Sequence, residues 1–193
     1  NIVVKPTWER YAPESRDIVG EIDPGMAFGT GQHASTRRCM EAIEDIILKD
    51  RSITDWKVLD VGCGTGILGI TAAKMGAQDV VCVDNDPKAT EIAAENAVIN
   101  SVADRLRIVN EDALRVKEQR NLIIANLTAK LLLKMRTHLV RLLMPGGYMI
   151  ISGIIEPDIP AMEEHFIVAP LELQDKRTEK EWVCYVLKKT SAC

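Results

Sequence analysis

The 193-residue chain has no long basic run, no C-x-x-C pair and no long apolar stretch, and each absence excludes a class of protein. Its formal net charge is -4, so the charge pattern of a dedicated nucleic-acid-binding protein is missing and direct nucleic-acid binding is not expected. Its five cysteines are odd in number and widely spaced, which argues against a disulfide framework and a metal site and favours the reducing cytoplasm. No apolar run approaches the ~20 residues of a membrane span, and the amino end shows no signal-peptide pattern.

The composition that remains is that of one globular domain. The hydrophobic content is 47%, and no internal repeat or low-complexity segment is visible. We expect a single domain over residues 1–193, with short entry strands and a loop in 1–34 and an α/β core in 35–193.

The arrangement of apolar residues predicts the fold class. From Lys57 onward, short runs rich in Val and Ile alternate with segments of helical periodicity, which is typical of βαβ units around a parallel sheet. Strands are predicted near Lys57–Val61, Val80–Asp84, Leu106–Asn110, Leu122–Ala125 and Tyr148–Ser152, with short edge strands at Ile2–Val4 and Ile18–Ile22. Helices are predicted near Ser35–Leu48, Ile67–Met75, Pro87–Asn100, Thr128–Leu143 and Pro157–His165. The tail predicts a closing hairpin of Val168–Leu173 and Trp182–Leu187 around a charged turn at Asp175–Lys180.

A glycine-rich turn follows the first of the core strands. Gly62, Gly64 and Gly66 stand at alternate positions, directly after Asp60 and Val61. Such glycines allow backbone conformations closed to other residues and leave room for a ligand against bare main chain. Open α/β sheets bind ligands at this end of their strands, but the dinucleotide fingerprint G-x-G-x-x-G would need a further glycine where Ile67 stands. The G-x-G-x-G spacing therefore favours S-adenosylmethionine over a nicotinamide or flavin cofactor.

Acidic residues lie at the end of the second predicted core strand and just after the third. Asp84 lies about twenty residues beyond the glycine turn, where a carboxylate can accept hydrogen bonds from both ribose hydroxyls, and Asn85 is its neighbour. The alternative is that Asp84 only caps the helix beginning at Pro87, although Asp86 is better placed for that cap. Asp112 follows the third strand and could accept from the exocyclic amine of adenine, or it is an ordinary exposed loop acid.

Two further polar residues are candidates for the methyl-accepting side. Asn126 ends the fourth strand, and its amide could bind the amino acid moiety of the cofactor, orient an incoming amine, or only cap the next helix. His33 is the candidate base by residue type, because its ordinary pKa suits neutral pH. A single loop histidine is more often structural or exposed.

Four runs of residues are more specific than any of these features alone. They are Asp23-Pro24-Gly25-Met26-Ala27-Phe28-Gly29-Thr30-Gly31-x-His33, Asp60-Val61-Gly62-Cys63-Gly64-Thr65-Gly66-Ile67-Leu68, Val83-Asp84-Asn85-Asp86-Pro87 and Asn126-Leu127-Thr128-Ala129. Together they resemble the bacterial methyltransferases of ribosomal large-subunit protein eleven over nearly the whole chain. The glycine turn alone indicates a class I methyltransferase, whereas the first run is far more selective. The resemblance implies a Rossmann-like seven-stranded sheet in the order 3-2-1-4-5-7-6, with the last-inserted strand antiparallel, and S-adenosyl-L-methionine as methyl donor.

The resemblance also implies a set of site residues. It gives Thr36, Gly62, Asp84 and Asn126 as cofactor contacts, and it places Phe28 in a loop that closes over the methionine end of the cofactor, although a single aromatic is often a core residue. The complete predicted cofactor-binding set is Phe28, Gly29, Thr30, Thr36, Asp60, Gly62, Gly64, Gly66, Asp84, Asn85, Asp112 and Asn126, with Asn126 and His33 as the catalytic candidates.

The sequence departs from the family pattern on the substrate side. Gln32-His33-Ala34-Ser35-Thr36 stands where the family commonly reads T-H-P-T-T, and Asn126-Leu127-Thr128-Ala129 stands where it commonly reads N-I-L-A. Family members also carry an amino-terminal domain that recruits the ribosomal protein, and this sequence starts almost at the catalytic domain. We expect that recruiting domain to be absent from this chain, either because it was cut away or because the chain is a stand-alone relative.

The expected function is N-methylation of lysine or terminal amines of a large-subunit ribosomal protein, with S-adenosylmethionine as donor. Two alternatives stay open. One is a methyltransferase of the same fold that acts on another protein or a small molecule, and the other is a cofactor-binding module without activity. A nicotinamide dehydrogenase is a more distant alternative.

Overall fold

The computed structural model describes residues 2–15, 17–22 and 33–190, which form a two-stranded sheet and a seven-stranded sheet flanked by helices. The strands are β1 (Ile2–Lys5), β2 (Ile18–Glu21), β3 (Lys57–Val61), β4 (Asp79–Asp84), β5 (Leu106–Asn110), β6 (Arg120–Asn126), β7 (Leu143–Ile155), β8 (Leu171–Glu179) and β9 (Trp182–Lys189). The helices are α1 (Ala34–Lys49), α2 (Ile67–Lys74), α3 (Pro87–Ile99), α4 (Ala129–Leu142) and α5 (Ile159–Phe166), with 3₁₀ turns at Ala113–Arg115 and Glu156–Asp158.

The large sheet has the strand order β5-β4-β3-β6-β7-β9-β8. Strands β3 to β7 are parallel, and β9 runs antiparallel to both of its neighbours. Numbered within this sheet alone, the order is 3-2-1-4-5-7-6, so the predicted α/β class, strand order and antiparallel last-inserted strand are confirmed. The order reverses direction between β3 and β6, and open α/β sheets bind ligands at such a switch point, beyond the carboxyl ends of the strands.

Helices cover both faces of the sheet, which explains why the central strands are almost continuously apolar. Val58 and Ile124 point to the face packed by α1, α2 and α3, whereas Leu59 and Ile123 point to the face packed by α4 and α5. All four side chains are fully buried. The βαβ pattern seen in the sequence is therefore the pattern of a sheet with two apolar faces.

The first two strands differ from their prediction as edge strands of the main sheet. β1 and β2 pair with each other in parallel and form a separate small sheet. Asn100, at the end of α3, attaches this sheet to the core, because its Oδ1 accepts from the Glu21 backbone N–H at 2.9 Å and its Nδ2 donates to the Glu21 carbonyl at 2.6 Å. Ile22 then enters the core.

Two boundaries near the carboxyl end of the chain were predicted wrongly. The charged segment Asp175–Lys180 is not a turn, because β8 continues through Glu179 and only Lys180 and Glu181 connect it to β9. The charges are accommodated on an edge strand, where Arg177 pairs with Asp45 at 2.6 Å. β7 begins at Leu143 rather than at Tyr148, since Leu143 already pairs with Arg120 across a register shift.

The contact between α2 and β4 gives a test of the core packing. A Cβ built on Gly69 would overlap Cys82 Sγ. Alanine normally stabilises a helix interior by about 1 kcal/mol relative to glycine, but overpacking costs roughly 1 to 3 kcal/mol, so Gly69→Ala is expected to lower the free energy of unfolding. Urea unfolding measures this value. Adding Cys82→Ala should recover most of the loss, and a Gly69→Ala protein as stable as the wild type would contradict the packing described.

Candidate functional site

The glycine turn after β3 has a backbone that only glycine adopts readily. Gly62, Gly64 and Gly66 have φ angles of 67°, 54° and 79°, all in the left-handed region. The Gly62 N–H donates to the Val83 carbonyl at 2.8 Å, which fixes the turn against the end of β4. Gly66 is the N-cap residue of α2. The turn therefore presents bare main chain at the switch point between β3 and β6.

Asp84 is hydrogen-bonded to this turn. Its Oδ2 accepts from the Gly64 N–H at 2.9 Å, and its Oδ1 accepts from the Asp86 N–H at 3.0 Å. The cap of α3 is made by Asp86, whose Oδ1 accepts from the Lys88 N–H. The alternative that Asp84 only caps α3 is therefore wrong. Each carboxylate oxygen of Asp84 keeps a further lone pair for a ligand hydroxyl.

A cleft of about 200 Å³ opens beside the turn and collects several predicted residues. Gly62, Asp84, Asn85 and Asp112 all line it. Asp112 also caps the 3₁₀ turn that follows it, since its Oδ1 accepts from the Leu114 N–H at 2.9 Å. Asp112 is exposed, so its contact with the adenine amine stays a prediction beside the alternative of a loop acid.

The apolar wall of this cleft was missed by the sequence analysis. Leu131 and Met135 line it from α4, Leu127 lines it from the link between β6 and α4, and Leu114 lines it from the 3₁₀ turn. Leu114 is 39% exposed and Leu131 44% exposed, so both present apolar surface to solvent. The available signal was the four-residue spacing of Leu131 and Met135 on one face of the predicted helix, but apolar residues at that spacing usually indicate core.

Asn126 and Thr36 meet on the other side of the switch point. Asn126 Nδ2 donates to Thr36 Oγ1 at 3.3 Å, and Thr36 is buried in the first turn of α1. The N-cap residue of α4 is Thr128, so the alternative that Asn126 caps the next helix is wrong. Two of the four residues that the resemblance gives as cofactor contacts are thus in contact with each other.

His33 has structural contacts. It is the N-cap residue of α1, and its Nδ1 lies 2.8 Å from Ser35 Oγ and accepts from the Ser35 N–H at 3.3 Å. Its ring meets Trp182 edge to face, with centroids 4.6 Å apart. These contacts support the structural interpretation, and a role as base stays a prediction. Phe28, Gly29 and Thr30 lie outside the described residues, so their predicted roles also stay predictions.

With this geometry established, comparison with known proteins identifies the family. The sequence profile described as ribosomal protein L11 methyltransferase (PrmA) matches residues 1–190. This chain belongs to the ribosomal protein L11 methyltransferase family. A relative of that name from Geobacter metallireducens is 42% identical over 183 residues, which cover 95% of this chain and 58% of the relative. One from Heliobacterium modesticaldum is 37% identical over 97% of this chain and 58% of its own length. The chain thus spans a little under two thirds of the length of these L11 methyltransferases.

Solved structures agree with the L11 methyltransferase assignment. The crystal structure of a ribosomal protein L11 methylase from Lactobacillus delbrueckii subsp. bulgaricus superposes with a TM-score of 0.87 at 30% identity, covering 98% of this chain and 95% of that one. An RNA methyltransferase from Salinibacter ruber, in complex with S-adenosyl-L-homocysteine, gives a TM-score of 0.64 at 19% identity, covering 81% of this chain and 94% of that one. This second likeness shows the shared fold.

Within residues 2–15, 17–22 and 33–190, the helices are too short or too polar to cross a membrane.

Asp60, which belongs to the predicted cofactor-binding set, is buried in this family member. It is 1% exposed, lies beneath the turn on the α2 face, and accepts from the Gly69 N–H at 2.9 Å. Burial raises the pKa of its carboxyl group to about 7, the nearby charge of Asp84 adds to the increase, and the hydrogen bond from Gly69 opposes it. A direct cofactor contact has no support in this placement. Asp60 instead fixes α2 under the glycine turn.

The buried Asp60 predicts a pH dependence of stability. Its carboxyl holds its proton up to about pH 7 in the folded state, against an ordinary pKa of about 3.9 in the unfolded chain. The folded state thus binds more protons across this window, so the free energy of unfolding is expected to fall as pH rises from about 4 to 7, by up to about 4 kcal/mol. Asp60→Asn should remove this slope in urea titrations at several pH values. Asp104→Asn, at an exposed position, should retain it; equal slopes in wild type and Asp60→Asn would refute the assignment.

Proposed function

We propose that this chain is the part of an S-adenosylmethionine-dependent methyltransferase that transfers methyl groups to lysine or terminal amines of ribosomal protein L11. The observation that carries the proposal is the hydrogen bond from the Gly64 N–H to Asp84. In a chain of this family, the bond holds the glycine turn next to a carboxylate at the switch point of the sheet. Family relatives bear the name ribosomal protein L11 methyltransferase over a longer chain. A cytoplasmic location belongs to the same proposal and agrees with the free thiols of Cys39, Cys63, Cys82 and Cys184.

The residues around the cleft fit such a cofactor. Asp84 keeps acceptors for ribose hydroxyls, and Asp112 stands where it can accept from the adenine amine. The half-exposed side chains of Leu114 and Leu131 offer apolar surface for the adenine faces. Thr36 and Asn126 would hold the methionine end, together with the loop of Phe28, Gly29 and Thr30.

When bound, S-adenosylmethionine supplies a methyl group already activated by its positive sulfur, so transfer to a neutral amine is a single in-line displacement. The protein's contribution is then chiefly positioning, which brings reacting atoms to about 3 to 3.5 Å. Asn126 is suited to this work. Its Nδ2 donates to Thr36, and its Oδ1, the only acceptor of the amide, can accept from an amine N–H and face the positive charge that develops on nitrogen.

The accepting amine must first lose its proton, since a protonated lysine has no lone pair. The amine can lose this proton to solvent as it moves from water into the site, because desolvation disfavours the charged form of the amine. His33 is the candidate base by residue type, but its Nδ1 is engaged with Ser35. His33→Asn distinguishes proton loss to solvent from proton transfer to His33. Asparagine is a good N-cap residue and keeps α1 stable, so a shifted pH profile of methyl transfer in this variant would indicate that His33 is the base.

Transfer of a radiolabelled methyl group tests the proposal directly. The chain is incubated with labelled S-adenosylmethionine and either purified ribosomal protein L11 or a whole-cell lysate depleted of that protein. Label in L11 supports the proposal, whereas label only in the lysate indicates another substrate. Tight cofactor binding without transfer in either sample indicates a binding module. Calorimetric titration with S-adenosylmethionine and with a nicotinamide dinucleotide completes the test, and binding of the dinucleotide alone would overturn the cofactor assignment.

A further inference from the structure

β7 contains an irregularity next to the site. Its antiparallel pairing with β9 changes register between Ile151 and Ile154, so Ser152 and Gly153 form a bulge. On the opposite side, β7 pairs regularly with β6, and Ser152 is the register partner of Asn126. Bulges are over-represented beside active sites, where they redirect a side chain or end a pairing.

The bulge places bare backbone against Asn126 and Leu127. Gly153 has a φ of 82°, and a Cβ built on it would lie 2.6 Å from the Leu127 carbonyl oxygen and 3.1 Å from Asn126 Oδ1. The Leu127 N–H donates to the Ser152 carbonyl at 3.0 Å, which holds the two backbones together. A side chain at position 153 would therefore displace the amide oxygen of Asn126.

The same bulge also holds the other end of that amide. Ser152 Oγ lies 3.3 Å from the carbonyl oxygens of Ser35 and Val183 and donates between them. Ser35 precedes Thr36, which accepts from Asn126 Nδ2. The Leu127 side chain is confined on its far side, because a Cβ at Gly62 would lie 2.6 Å from Leu127 Cδ2. Asn126 and Leu127 are thus held between the glycine turn and the bulge of β7.

We propose that Gly153 is a positioning residue for methyl transfer: by lacking a side chain it leaves the room in which the Asn126 amide keeps its oxygen towards the accepting amine. The inference rests on the proposed function, since it assigns Gly153 a part in that reaction through Asn126. It separates two tasks of the site. Asp84 and the cleft would hold the ribose and adenine of the cofactor, whereas the bulge leaves Asn126 oriented towards the methionine end and the accepting amine.

Gly153→Ala is expected to lower kcat for methyl transfer to L11 at least tenfold, with a change in the cofactor Kd of no more than threefold. Gly76→Ala is the matched control, because Gly76 also has a positive φ, of 115°, but a Cβ there would meet nothing within 4 Å. It introduces comparable backbone strain without touching Asn126, so its kcat should stay near that of the wild type. Equal losses of kcat in both variants would overturn the proposal.

A second measurement does not depend on turnover. The side-chain amide of Asn126 gives an NMR signal that Asn126→Asp removes, and this signal is expected to shift in Gly153→Ala but not in Gly76→Ala. If Gly153→Ala does not fold, Ser152→Ala decides, because it keeps the glycine and removes the hydroxyl that bonds the Ser35 and Val183 carbonyls. It should shift the same signal and lower kcat about threefold to tenfold. An unshifted signal with unchanged kcat refutes the positioning role.

A wild-type protein that transfers no methyl group to L11 refutes the proposed function instead. In that case the amide signal of Asn126 still shows whether Gly153 affects the orientation of the amide.

Discussion

Replacing Asp84 with asparagine is expected to raise the Kd for S-adenosylmethionine roughly 10- to 100-fold. Hydrogen bonds to a charged group contribute about 1.5 to 3 kcal/mol, which corresponds to that range of affinity. Asparagine keeps the shape of Asp84 but offers one acceptor oxygen instead of two, so it cannot accept from the Gly64 N–H, the Asp86 N–H and a ribose at once. Calorimetric titration of the purified variant with S-adenosylmethionine or S-adenosylhomocysteine measures the change.

The neighbouring acid provides the control for this experiment. Asp86→Asn alters a carboxylate two residues away that caps α3, and asparagine is an equally good N-cap residue. Its Kd should stay within about twofold of the wild type on the basis that only the cap is altered. A comparable loss in both variants would mean that local negative charge, and not the bonds of Asp84, attracts the cofactor.

Asn126→Ala is expected to reduce the rate of methyl transfer by about 10²- to 10³-fold at saturating cofactor. This is the usual loss when a fixed polar group that faces developing charge is removed. The cofactor Kd should rise by less than about tenfold, since the cleft with Asp84 and Asp112 is untouched and one neutral hydrogen bond contributes about 1 kcal/mol. Single-turnover transfer to L11 separates the chemical step from product release.

Asn121→Ala is the control for Asn126. Asn121 is likewise a hydrogen-bonded amide, accepting from the Lys57 N–H at 2.8 Å and donating to the Asp55 carbonyl at 2.7 Å, but it lies at the opposite end of the sheet. Its loss should lower stability and leave the transfer rate at 25 °C unchanged. Unchanged turnover and unchanged cofactor affinity in Asn126→Ala would remove Asn126 from the mechanism.

The sequence predicted the sheet well because its central strands are buried on both faces. Runs such as Lys57–Val61 and Leu122–Ala125 can be recognised from their apolar residues alone, and the family resemblance supplied the strand order. β8 was misread because its exposed side chains are mostly charged, and charge clusters usually indicate turns. Local patterns do not show that such a segment lies at an edge, with its cations paired to α1 and α5.

The site was predicted in part for a similar reason. Residues in motifs, such as Asp84 and Asn126, lie at the ends of their strands as the sequence predicts, and their cofactor contacts stay predictions. Asp60 differs, since the face of β3 to which it points depends on the packing of α2. The wall of Leu114 and Leu131 arises where two separate elements meet. Only tertiary structure brings such residues together.

The charged edge strand β8 has a consequence for how the protein behaves at high concentration. An exposed strand edge offers unpaired backbone groups to other chains, and apolar edges of this kind promote aggregation. In β8, Lys176 pairs with Glu163 at 2.7 Å and Arg177 pairs with Asp45 and Asp175. A neighbouring molecule that added a strand here would have to displace these ion pairs and bury charge. The residues that looked like a turn in the sequence thus protect the open side of the sheet against self-association.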